Sequence, residues 1–243
     1  MTRQRADLLL VERGLFPTRA RAQAAIAAGL VAANGVSVRR ASDQVEADAA
    51  IVAEAPHPYV SRGGVKLAAG LDAFGIDPAG RICLDLGAST GGFSDVLLRR
   101  GAALVYAVDV GHGQLHPSLA GNPRLVGLEG VDARALDAAL VPEPVGLLAA
   151  DLSFISLKLA LPVPAGLLAP GGDLVALVKP QFEAGRGAAR KGVVRDPAVH
   201  ETVCAEVAAF VRNLGLDVVG IVPSPIAGGE GNREFLLGAR RRG

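Results

Sequence analysis

The stretch Arg81-Ile-Cys-Leu-Asp-Leu-Gly-Ala-Ser-Thr-Gly-Gly-Phe93 constrains the fold more than any other part of this chain. An apolar run, Ile82 to Leu86, ends in Gly87, crosses small residues with Gly91 and Gly92, and opens into the amphipathic segment Phe93–Arg99. That pattern predicts a strand, a tight glycine turn and a helix. In an open α/β sheet such a turn lies at the carboxyl edge of a central strand, where ligands bind, and its glycines let the backbone come close to the ligand. With 243 residues the chain can build one such core plus a small satellite domain.

Several function classes are excluded early. No apolar run approaches the roughly 18 residues of a membrane span, and the start Met1-Thr-Arg-Gln-Arg-Ala-Asp lacks the apolar core of a signal peptide. A cytoplasmic protein without membrane association is expected, and we expect a monomer. Cys83 lies within the presumed buried strand and Cys204 within a presumed helix, so both read as core positions rather than a disulfide or metal pair. His112 and His116 stand four apart, but Gly113 and Pro117 break the helix that would align them, and no metal site is expected.

The net charge is only +1, yet residues 1–40 carry seven arginines against Asp7 and Glu12, a local +5. A basic end of this kind is the footprint that nucleic acid requires. Leu8 to Val11 begin a short helix that stops at Gly14, and Pro17-Thr18 starts a second from Arg19 to Ile26, ended by Gly29. Asn34-Gly35 between two apolar runs predicts a hairpin. The proline pair in Ala53-Glu-Ala-Pro-His-Pro58 then reads as a stiff linker, which places a domain boundary after residue 58.

Beyond it, Tyr59–Lys66 leads into a helix through about Phe74, with Lys66 in its first turn, an unfavourable place for a cation. Strands are predicted at 103–109, 124–128, 145–151 and 173–179, the helix after Ser156 running to about Leu168 and Pro170-Gly-Gly172 forming a turn. A helix from Pro197 to about Leu214 and strands at 216–223 and 234–239 complete the pattern. Asp109, 24 positions after Asp85, ends its strand where nucleotide-binding sheets place a ribose-binding carboxylate. Asp132 could meet an adenine amino group, and Asp151 and Lys179 end their strands on the same rim. Gly87-Ala-Ser-Thr-Gly-Gly is not the G-x-G-x-x-G of a dinucleotide site; Asp85, two residues before the first glycine, suits a cationic ligand end and resembles the acidic-x-glycine motif of S-adenosylmethionine-dependent methyltransferases. The loop 180–197, with Arg186, Arg190, Lys191 and Arg195, is basic enough to touch a polyanion.

Two resemblances follow. Asp7-Leu-Leu-Leu10, Thr18-Arg-Ala-Arg-Ala22 and Val31–Val36 resemble the S-four-type RNA-binding domain. Tyr59-Val-Ser-Arg-Gly-Gly-x-Lys66, Asp85–Phe93, Asp109-Val-Gly-x-Gly-Gln114, Asp151-x-Ser-Phe-Ile-Ser156, Val178-Lys-Pro-Gln-Phe-Glu183, Lys191–Pro197 and the segment Ser224–Phe235 are similar to the TlyA family of haemolysin-named ribosomal RNA 2′-O-methyltransferases. The resemblance implies an α/β, Rossmann-like methyltransferase domain of the FtsJ type at 59–243, with a seven-stranded, mostly parallel sheet, preceded at 1–58 by a small α+β RNA-binding domain. It implies S-adenosylmethionine as methyl donor and cytidine of 23S, in some members also 16S, ribosomal RNA as substrate. The family's Lys-Asp-Lys-Glu tetrad falls on Lys66, Asp151, Lys179 and Glu234. The donor would be held by Asp85, Gly87, Ala88, Ser89, Gly91, Gly92, Phe93, Asp109, Val110, Asp132 and Asp151, and RNA by Arg3, Arg5, Arg19, Arg21, Arg62, Arg186 and Lys191. Two departures stand out: His112 where an aromatic residue is expected, and His57-Pro58 in place of an Arg/Trp-containing linker.

The tetrad suits the chemistry. A ribose hydroxyl is a weak nucleophile and needs help with its proton. Lys179 is assigned to accept that proton or stabilise the developing alkoxide, Lys66 is its cationic neighbour, and Asp151 and Glu234 orient the pair. Displacement at an already activated sulfonium leaves the protein mainly positioning work. The alternatives are a membrane-active, pore-forming protein, which the absence of a span or long amphipathic helix disfavours, and a non-catalytic RNA-binding protein.

Overall fold

Apolar runs separated by glycine turns place seven strands of this chain in one sheet. The computed structural model describes residues 3–55, 57–185, 192–228 and 231–243, in two units, Met1–Pro58 and Tyr59–Gly243. The first unit runs β1 (Arg3–Arg5), α1 (Ala6–Glu12), α2 (Arg19–Ala27), β2 (Val31–Ala33), β3 (Val36–Ser37), β4 (Gln44–Glu46) and β5 (Ile51–Ala53). Strands β1 and β4 pair antiparallel, and β3-β2-β5 form a second small sheet. The hairpin at Asn34-Gly35 has both residues at positive φ, 50° and 77°, the geometry a two-residue primed turn demands. Thr18 caps α2 by accepting from Arg21 N, and Leu9, Leu10, Phe16, Ile26 and Val31 fill the core.

The second unit contains α3 (Gly63–Phe74), β6 (Ile82–Leu86), α4 (Gly92–Arg99), β7 (Leu104–Asp109), β8 (Leu125–Glu129), β9 (Val145–Ala150), α5 (Leu157–Ala160), α6 (Pro162–Gly166), β10 (Leu168–Val178), α7 (Pro180–Glu183), α8 (Pro197–Asn213), β11 (Leu216–Pro223) and β12 (Phe235–Arg241). The sheet order is β11-β12-β10-β9-β6-β7-β8, with β12 antiparallel to both neighbours and the other strands parallel to one another. The chain passes from β6 outward to β7 and β8, then returns to β9 on the other side of β6. A crevice at such a reversal is the place where open α/β sheets bind ligands.

Alternation along β6 sends Leu84 and Leu86 to one face and Cys83 to the other, and both faces are covered. Leu84 and Leu86 are completely buried, each such side chain being worth roughly 1.5–3 kcal/mol. Cys83 is buried and Cys204 half-buried, and both are free thiols.

Two predicted elements differ. The helix expected from Ser156 to Leu168 is broken into α5 and α6, because Pro162 has no N–H for an intrahelical bond and instead opens the second piece. The Pro170-Gly-Gly172 turn lies inside β10 as a bulge. From Leu168 to Asp173 the strand advances five residues while β9 advances two, from Val145 to Leu147, so three residues loop out of register. No helix among the described residues is long and apolar enough to cross a membrane.

Candidate active site

The glycine turn after β6 is bent by positive φ at Gly87 (77°), Ser89 (46°) and Gly91 (87°). Gly87 N and Ala88 N both donate to Val108 O, which ties the turn to the end of β7. A Cβ on Gly87 would stand 2.5 Å from Asp151 O, so glycine is what lets the ends of β6 and β9 approach. One on Gly92 would strike Ser61 Oγ. Asp109 accepts from Ser89 N and Gly111 N, each at 2.8 Å, and so holds both sides of the crevice. Each of its oxygens keeps a second lone pair for a ligand hydroxyl.

Three cavities meet at this edge. The first, of about 220 Å³, is lined by Arg62, Lys66, Gly87, Ala88, Ser89, Gly92, Phe93 and Asp151. The second, of about 460 Å³, is lined by Asp109, Val110, Asp132, Phe154 and Ile155, and shares Gly87, Ser89 and Asp151 with the first. The third, of about 410 Å³, is lined by Ser153, Phe154, Lys179, Gln181, Phe182, Asn232 and Glu234. Asp132 lies on the second but also binds the Arg134 guanidinium at 2.6 Å, which holds its carboxyl well below the usual range.

The four tetrad positions come together from the start of α3 and the ends of β9, β10 and the loop before β12. Lys66 Nζ lies 2.5 Å from Glu234 Oε2, and Lys179 Nζ lies 2.6 Å from Asp151 Oδ1 and donates to Ser153 Oγ at 2.8 Å. Lys66 and Lys179 are both 8% exposed and Glu234 4%, so the ions are sheltered from solvent screening. Gly228 must be small because Glu234's carboxylate occupies the place of its Cβ. Lys66 and Asp151 face the first cavity, whereas Lys179 and Glu234 face the third. Each ion pair therefore bridges the two, and the four residues form the wall between them.

One expected site residue stands elsewhere. Asp85 was assigned to the methyl donor, yet it is fully buried and lines none of these three cavities. It shares the parity of Cys83 along β6, which points it beneath α4, where Ser94 Oγ donates to Oδ2 at 2.6 Å. Oδ1 has no hydrogen-bond partner among the described residues. Burial pushes this carboxyl up to about 7 against the pull of Ser94, with the charges of Asp151 and Asp109 adding to the rise. Asp85 thus packs against Ser94 beneath α4, outside the lining of these three cavities.

The basic residues divide as well. Arg5 and Arg19 both bind the buried carboxylate of Asp7, at 3.0 and 2.8 Å, and Arg3 reaches Glu46 at 3.4 Å. Arg62 lines the first cavity and donates to Ala227 O at 2.8 Å. Arg186 and Lys191 lie outside the described residues. His116 caps a short helical turn by accepting from Ser118 N, and among the described residues no cluster of three or more His, Cys, Asp or Glu could hold a metal.

Ser153, Phe154 and Glu183 stand inside motifs quoted above, but the sequence assigns them no role. Phe154 is 92% exposed, sits at φ 66°, and its ring centroid is 5.2 Å from that of Phe182. A left-handed conformation at a non-glycine residue costs on the order of 1–3 kcal/mol and concentrates at functional sites. The signal was present in an aromatic residue placed just past a strand end, where core packing has no use for it.

Fold and site together define a methyltransferase of the nucleotide-binding α/β type, carrying a separate small unit in front. A family model described as FtsJ-like methyltransferase matches residues 59–241, and one described as S4 domain matches residues 4–51. The chain belongs to the FtsJ-like methyltransferase family, in the TlyA-type group whose members carry an S4 domain. It is 45% identical over 241 residues, 98% of this chain and 90% of the relative, to the 16S/23S rRNA (cytidine-2'-O)-methyltransferase TlyA of Mycobacterium tuberculosis. It is 44% identical to a Bacillus subtilis protein carrying an rRNA methyltransferase name, over 97% of this chain and 85% of that one. A solved structure of a haemolysin-named protein from Streptococcus thermophilus superposes with TM-score 0.78 at 41% identity, covering 100% of this chain and 90% of that one.

Proposed function

We propose that this protein transfers a methyl group from S-adenosylmethionine to the ribose 2′-hydroxyl of a cytidine in ribosomal RNA. The observation that carries the reading is the cross-paired tetrad standing between two cavities, one against the glycine turn and one lined by aromatic rings. The residues fit the donor. The joined first and second cavities offer carboxylates at Asp109 and Asp132 for a ribose and an adenine amino group, apolar contact at Val110 and Ile155, and the cradle of Gly87–Gly92 for the amino-acid end. When bound there, S-adenosylmethionine supplies an activated methyl group.

The chain's own residues supply the rest. Lys179, in the third cavity, meets the 2′-hydroxyl; as the neutral amine it takes the proton, and as the ammonium it holds the developing alkoxide while the proton leaves to solvent. Asp151 orients Lys179 by the 2.6 Å ion pair and also reaches the donor side. Lys66 and Glu234 form the second half of the wall and keep the positive charge of Lys66 close to the reacting atoms. Phe154 offers a flat apolar face on which a base drawn out of its stack can rest. The S4 unit, whose arginines gather in residues 1–40, contacts the RNA backbone through Arg3, Arg5, Arg19 and Arg21. Arg62 at the first cavity, and Arg186 and Lys191, which lie outside the described residues, do the same. The reaction requires no metal.

The relatives' names support this choice of substrate. The test is to incubate ribosomal subunits with the protein and labelled S-adenosylmethionine, digest the RNA to nucleosides and locate the label by mass spectrometry. 2′-O-methylcytidine is expected; label on a base, or no transfer to ribosomal RNA, contradicts the reading.

A further inference from the structure

We propose that Glu183 is a positioning residue that fixes the Phe154–Phe182 pair beside Lys179 and so sets how the target nucleotide is held; the inference rests on the reading of the third cavity given above. Glu183 ends α7, four residues after Lys179. Its Oε2 accepts from Ser156 Oγ at 2.6 Å and its Oε1 from Leu157 N at 2.7 Å. Leu157 opens α5, so its amide is one that the helix cannot satisfy itself. No ion pair within 4 Å involves Glu183 among the described residues, and the carboxylate is spent on these two neutral donors.

The other end of the same loop is tied to the same segment. Ser153 Oγ accepts from Lys179 Nζ at 2.8 Å. Residues 153–157 are therefore stitched to residues 179–183 at both ends, with Phe154 between the stitches and its ring tilted by 50° against that of Phe182. A left-handed, 92% exposed phenylalanine contributes nothing to the core in that place, and such a conformation persists only where its surroundings fix it. The Lys179 stitch belongs to the chemistry. The Glu183 stitch serves no reacting atom; by capping the start of α5 it fixes the loop that carries Phe154 against Phe182.

The test is a double-mutant cycle in the full-length protein, with Glu183→Ala, Phe154→Ala and the double variant, read as kcat and KM for ribosomal subunits and as affinity for S-adenosylmethionine. We expect Glu183→Ala to lower kcat/KM for RNA by about tenfold to a hundredfold, the scale of a misplaced binding group, with donor affinity unchanged. The double variant should be no worse than Phe154→Ala alone, because both act through one ring. Glu183→Gln keeps the shape and an acceptor for Leu157 N; it should retain more activity, and it carries the same cycle if the alanine variant does not fold. Wild-type kcat/KM in Glu183→Ala, or losses that multiply in the cycle, overturn the role of Glu183 while the third cavity stands. Wild-type activity in Phe154→Ala overturns both.

Discussion

Asp85 offers a quantitative check on how the glycine turn is supported. Its carboxyl is buried on the α4 side of the sheet with one hydrogen bond, from Ser94, and burial raises it from 3.8 to about 7. The folded protein thus keeps a proton that the unfolded chain has released. The neutral carboxyl's contribution is complete below about pH 4 and is lost as pH rises through 7. A rise of about three units, at about 1.36 kcal/mol each, amounts to a penalty on the order of 4 kcal/mol above neutrality. The Asp85→Asn variant carries a side chain of nearly the same shape, keeps an oxygen for Ser94, and stays neutral at every pH. Urea unfolding of both proteins from pH 4 to 8.5 should show the variant gaining stability over wild type across that range, by up to about 4 kcal/mol at pH 8. Groups away from this cluster titrate alike in both, so the difference reports the Asp85 carboxyl together with its coupling to Asp151 and Asp109. A difference independent of pH, or a variant less stable at pH 8, would refute the reasoning.

Two further expectations concern buried charge. Glu234→Ala leaves the Lys66 ammonium buried without its partner, and removing one member of such a pair costs about 3–5 kcal/mol; thermal unfolding should show this, with a smaller loss for Glu234→Gln. Asp7 is held far below the usual carboxylate range by Arg5 first and by Arg19 and Gln23 beside it. It contributes stability above about pH 4 that is lost as pH falls through its folded value, so Asp7→Asn should destabilise the protein at pH 7 by an amount that shrinks in acid unfolding curves.

The sheet was legible because most of its strands are apolar runs closed by a glycine or a charged residue, and the same rule marked Asp109, Asp151 and Lys179 as one rim. The S4 unit was legible from Thr18 and Asn34-Gly35, whose local geometry depends on few distant contacts. Asp85 reads from sequence as a donor contact, whereas the fold packs its carboxyl against Ser94 beneath α4, a burial that the spacing of the motif does not reveal. The bulge at Pro170–Gly172 needed the register of β9, which local sequence does not contain. The pairing inside the tetrad was equally out of reach. Lys66 and Glu234 are 168 positions apart, and only the folded sheet decides that each lysine meets a carboxylate rather than the other lysine. Phe154 carried a sequence signal, an aromatic residue just past a strand end, but its left-handed backbone and its contact with Phe182 appear only in the fold.

The central claim is that the wall of Lys66, Asp151, Lys179 and Glu234 performs transfer between a donor side and an RNA side. The most direct measurement is single-turnover methylation of ribosomal subunits by Lys179→Ala, paired with calorimetric titration of S-adenosylmethionine into the same variant. Donor binding like that of the wild-type protein, with methyl transfer to ribose abolished, is the result expected. Methyl transfer at the wild-type rate in Lys179→Ala would contradict the account.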